Sequence, residues 1–132
     1  MANLEVVNFG LYYYTGVILH AATISYNPTA LTWQFLNAAG AYVDIASARN
    51  FAYHARDSAG GAWHTAKMNV DFTNLRYVSM EANEFDLNMS AFNLYQVASA
   101  EEKHCLVVLM VNAGLGVNAE GWFDDVLVRE VT

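Results

Sequence analysis

Paired carboxylates are the first groups here whose spacing could do chemistry. Glu84-Phe85-Asp86 sets two of them two residues apart, and on a strand that spacing turns both to one face. A retaining glycosidase uses such a pair, one carboxylate as nucleophile and the other as acid/base. Leu87, Asn88, Met89 and Ser90 follow with no further carboxylate, which favours hairpin-turn carboxylates over catalysis. Asp124-Asp125 cannot form a dyad, because adjacent strand residues point to opposite faces. One of them could help hold Ca²⁺ with oxygens from the loop Asn112 to Glu120, though a backbone-bonded Asp beside a solvated one is the simpler reading. His20, His54, His64 and His104 show neither H-x-H nor H-E-x-x-H spacing, and Cys105 is the single cysteine, so no zinc site is indicated. There is no G-x-S-x-G, no P-loop and no G-x-G-x-x-G; no cofactor is expected.

A mixed aromatic and polar set carries more. Tyr42, Asp44, His54, Arg56, Trp63, Lys67, Asn69, Tyr77 and Glu81 alternate with apolar residues along successive segments. Sugars need flat rings against their C–H faces and amide or charged groups for their hydroxyls. Tyr42, His54, Arg56, Trp63, Lys67 and Tyr77 are the candidate ligand-binding residues on this reading. The same face could equally be the contact surface of a homodimer, where Tyr and Trp are enriched.

Strands must position these residues. Trp63 to Phe72 alternates with period 2, placing His64, Ala66, Met68, Val70 and Phe72 on a core face. Thr73-Asn74 breaks the run. Leu75 to Ala82 alternates again, with Arg76, Val78, Met80 and Ala82 against Leu75, Tyr77, Ser79 and Glu81. After a turn at Asn83-Glu84, Phe85 and Leu87 share a face. This is a three-stranded meander. Upstream, Glu5 to Phe9 reads as a strand ended by Gly10. Leu11 to Tyr26 reads as two strands or one bent strand around Gly16. Leu31 to Ile45 is a hairpin across Asn37 to Gly40, and Phe51 to Arg56 a further strand. Downstream, Asn88 to Lys103 reads as an irregular loop that could hold a helical turn at Ala100 to Lys103. Cys105 to Val111 should be a strand covered on both faces with Cys105 buried, though its length also allows a buried helical piece, and Gly121 to Val131 the last strand.

The chain of 132 residues fits one domain, residues 1–132. Apolar residues make up 55% and charged ones only 14%, against about 25% in an average soluble domain. So little charge favours burying surface in a homo-oligomer. A net charge of −7 argues against nucleic acid or an anionic membrane as partner. Val6 to Val43 lacks Asp, Glu, Lys and Arg, but Asn8, His20, Asn27, Pro28 and Gln34 interrupt it, so buried strands explain it better than a membrane span. A free thiol and an N-terminus without a basic-then-apolar segment point to the cytoplasm.

The Leu31–Ile45 hairpin, the WHTAKMNVDF–LRYVSMEAN–EFDL meander and the closing WFDDVLV resemble the concanavalin A-like or laminin G-like jelly rolls, over Leu31 to Val131. The F-D-D-V is also similar to galactose-binding-like modules. The resemblance implies an all-β, antiparallel β-sandwich of jelly-roll type. It also implies glycan binding, or service as an accessory domain of glycan-active enzymes; some members are hydrolases, whose Glu-x-Asp is followed by a second Glu that this chain lacks. The expected function is non-catalytic binding of a carbohydrate or other small ligand on a concave sheet, the alternative a structural domain that forms a homo-oligomer.

Overall fold

A computed structural model describes residues 4–27, 32–45, 66–82, 85–113 and 126–129. The described regular structure is entirely β, in two antiparallel sheets. The larger holds β1 (Leu4–Tyr14), β2 (Ile18–Asn27), β3 (Thr32–Leu36), β4 (Tyr42–Asp44), β8 (Tyr95–Ala98) and β9 (His104–Ala113), in the order β4-β3-β2-β1-β9 with β8 also on β2. The smaller is the expected meander, β5 (Ala66–Asp71), β6 (Arg76–Ala82) and β7 (Phe85–Asn88).

Gly10 does not end the first strand. β1 runs through it and pairs with β2 from Val7↔Tyr26 to Tyr14↔Leu19, turning at Gly16 with φ +96°. Gly10 is needed for close approach: a Cβ there would lie 3.0 Å from both the Ala22 carbonyl oxygen and Thr23 Oγ1. The Leu31–Ile45 expectation holds as β3 and β4, with Phe35 opposite Val43.

Alternate residues of β2 and β3 supply the core. Ala22, Ile24, Tyr26, Trp33, Phe35 and Ile45 pack against Tyr77, Met80, Leu87, Met89 and Leu94, and Met68, Val70 and Phe72 flank them as the period-2 reading requires. Full burial of a side chain such as Ile24 contributes about 1.5–3 kcal/mol.

Four expectations are corrected. Tyr77 is fully buried, not on the polar face. Its strand carries a bulge: Asn69 pairs with Ser79 but Val70 pairs with Tyr77, so Val78 is the extra residue. One inserted residue reverses the alternation, sending Tyr77 and Met80 inward together and leaving Val78 in water. Cys105 is exposed, because β9 lies at the sheet edge instead of beneath other strands. Ala100 to Lys103 contains no helical turn. Val126 to Arg129 are exposed and outside any strand; the remainder of the expected last strand, like Phe51 to Arg56, falls outside the described residues.

Candidate functional site

Only a meeting of backbone gaps explains what Tyr77 does. β3 bonds β2 along Ile24–Asn27 and β8 bonds it along Ile18–Ala21, so Ala22 and Thr23 lie in a fork between two neighbours. The Tyr77 hydroxyl fills that fork: it accepts the Thr23 N–H at 3.1 Å and donates to the Leu36 carbonyl at 2.7 Å. Burial raises its pKa well above the ordinary tyrosine value, with the Thr23 N–H pulling the other way, so the hydroxyl stays protonated and remains a donor. Tyr77 is a structural bolt between the sheets.

The opposite face of the larger sheet gathers the remaining aromatic and polar groups. Cα partners on neighbouring strands point to the same side, so the register defines rows. One row is Met110, Asn8, Ser25, Gln34 and Asp44. A second contains Leu106, Tyr12, Ala21 and Tyr95. Between them lie Gly10 and Thr23, with Tyr42 two residues from Asp44 on the same side. All of these alternate with the core residues Ala22, Ile24 and Phe35, and so face away from the smaller sheet.

The centre of this face is polar and incompletely bonded. Thr23 is 2% exposed and Asn8 8% exposed, and neither Thr23 Oγ1 nor Asn8 Oδ1 has a hydrogen-bond partner. Tyr12 Cε1 comes within 3.2 Å of the position a Gly10 Cβ would take, beside Thr23 Oγ1. Gly10 thus leaves bare backbone as the floor on which the Tyr12 ring lies. Tyr42, partly exposed, has its pKa raised by burial first and by neighbouring Tyr12 second, opposed by the Thr23 hydroxyl. Thr23 Oγ1 makes no hydrogen bond of its own and so keeps its unused capacity. Gly40, at φ +82°, admits the Tyr95 ring, whose Cε2 would be 2.8 Å from a Cβ at that position. At the rim Gln34 Nε2 donates to Asp44 Oδ1 at 2.8 Å. Such a surface can stack a flat apolar face on tyrosine rings and offer hydroxyl and amide groups beneath; among the described residues it holds no nucleophile–base pair.

The six sequence-derived candidates do not converge. Tyr42 belongs to the face just described. Lys67 lies on the smaller sheet, exposed, with Nζ 2.8 Å from Glu81 Oε2. Tyr77 is core, and His54, Arg56 and Trp63 lie outside the described residues. Sequence reading missed Asn8, Tyr12, Thr23 and Tyr95; the one signal available was Tyr12 and Thr23 inside a long uncharged stretch, which reads as core. Asp86 is exposed and pairs in register with Glu81, while Glu84 lies outside the described residues. Among the described residues no three His, Cys, Asp or Glu side chains are placed to share a metal ion, and no helix is long and apolar enough to cross a membrane. Two shallow depressions, of about 350 and 310 Å³, lie beside Val17 and Ala98 and beside Phe35 and Phe92; neither is lined by a titratable side chain. No protein-family model, curated protein or solved structure matches the chain.

Proposed function

We propose that the chain is a non-catalytic binding module that holds a neutral, polyhydroxylated ligand, a carbohydrate, on the outer face of its larger sheet. The observation that carries this is Thr23 Oγ1, buried without a partner between the Tyr12 and Tyr42 side chains. A buried hydroxyl left unpaired costs about 1–3 kcal/mol, and a ligand hydroxyl would relieve that cost. Tyr42, the most accessible ring of the group, swings to admit the sugar and stacks on its C–H face, with Gln34 and Asp44 at the rim for the outer hydroxyls. This reading keeps Tyr42 from the sequence-derived set and replaces Lys67 and Tyr77 with Tyr12 and Thr23. The alternative role, assembly with copies of itself, draws on a different surface at β9.

The test is a glycan array followed by calorimetric titration of any binder, using wild type, Tyr42→Ala and Thr23→Val. Binding that weakens tenfold or more in both variants is expected. A complete panel without a binder, or one whose binding ignores both substitutions, removes the proposal.

A further inference from the structure

We propose that the outer edge of β9 joins two copies of this chain, strand to strand, about a two-fold axis perpendicular to the sheet. One edge of β9 is used by β1, from Tyr14↔His104 to Leu4↔Ala113. Among the described residues no strand bonds the other edge, so its outward N–H and C=O groups form a template for a further strand.

What that strand must look like follows from β9 itself. Leu106 and Met110 on the Asn8–Tyr12 face are 43% and 40% exposed, and Val107 and Leu109 on the opposite face are 39% and 37% exposed. A body laid over one face would leave the other in water. Only edge addition continues both faces, and the added strand must then be uncharged and apolar on both sides over this length. The chain supplies such a strand: β9, which carries no charged residue from Cys105 to Ala113.

The strand is also complementary to itself. In an antiparallel join centred on Val108, Leu106 faces Met110 of the partner subunit and Val107 faces Leu109 of the partner subunit, while the axis keeps each face on its own side. The acidic pair just before β9 stays apart across the join. Although each copy carries −7, the Glu101-Glu102 segments before β9 would stand at opposite ends of the pair. At ~3.4 Å per residue that separates them by roughly 40 Å, several times the Debye length of about 8 Å at physiological salt.

Light scattering at micromolar concentration tests the proposal. Wild type should show twice the chain mass of 14.6 kDa. Leu109→Lys and Val107→Glu, each at a site already open to water, should halve that mass with unchanged circular dichroism, and mixing the two variants should restore it. A monomeric wild type, or a dimer that survives Leu109→Lys, overturns the proposal. Should either variant fail to fold, hydrogen exchange of wild type across a dilution series decides. The β9 amides directed away from β1 must lose protection as the mass falls, and protection independent of concentration overturns the join.

Discussion

Strands β2 and β9 lie on either side of β1 in one sheet, each ten residues long, and their exposures are the reverse of their compositions. β2 carries His20, Thr23 and Ser25 and is buried from His20 to Tyr26; β9 is almost wholly apolar and stands open on both faces. Hydropathy states what a side chain gains by leaving water. Place in the sheet states whether anything is there to exclude the water. β2 has neighbours along both edges, a second sheet over one face and tyrosines over the other. Among the described residues β9 has one neighbour.

The largest effect that could break this contrast is at the bolt holding β2. Tyr77→Ala should cost about 3–5 kcal/mol of unfolding free energy, as truncation of a large core aromatic does. Tyr77→Phe should cost about 1–3 kcal/mol, because the Thr23 N–H and Leu36 carbonyl are left unpaired while the ring remains; chemical denaturation measures both. A raised pKa in the folded state also has a sign. The stabilisation is complete below the ordinary value of 10.0 and is lost as pH rises from there through the raised folded value. Tyr77→Phe should flatten that alkaline loss.

The next test sets the two strands against each other directly. Ile24→Ala on β2 should cost about 2–5 kcal/mol, and Leu109→Ala on β9 no more than about 1 kcal/mol in the isolated chain. Equal costs would erase the comparison. Thr23→Val sharpens it further, since replacing an unpartnered buried hydroxyl with a methyl should leave stability within about 1 kcal/mol or raise it while sugar binding falls. Stability lost in proportion to binding would mean that Thr23 serves the fold alone.

The smallest effect comes from the other sheet. Asp71 accepts hydrogen bonds from the Asn74 side chain at 2.7 Å and from the Thr73 and Asn74 N–H groups at 2.9 Å. The Asn74 side chain first, then its backbone N–H, hold the carboxyl pKa below its usual value. With the folded pKa below the unfolded one, the contribution is complete above the ordinary carboxylate range and is lost as pH falls through the depressed pKa. The site is open to solvent, so a melting series from neutral to acid should show a slight loss that Asp71→Asn abolishes.

Much of the fold was legible because period 2 is local. The β5–β7 meander, the β3–β4 hairpin and the turn at Gly16 each follow from residues close in sequence. The bulge at Val78 was not legible, and a single inserted residue moved Tyr77 from the supposed ligand face into the core. The candidate site was legible only at Tyr42. Asn8, Tyr12 and Thr23 sit in a stretch without charge and read as interior. They meet Tyr42 because β1, β2, β3 and β4 are laid side by side in one register.

By itself, then, the sequence determined that the chain forms antiparallel strands, where several of them turn, and which side chains of β5 lean toward the core, since alternation and turn chemistry act over a few residues. Tertiary structure alone decided that β2 lies inside and β9 at the edge, that a tyrosine closes the fork between β3 and β8, and that the buried Asn8 and Thr23 side-chain oxygens are left without partners. Those outcomes depend on which strands become neighbours, and contacts between residues far apart in the chain set that.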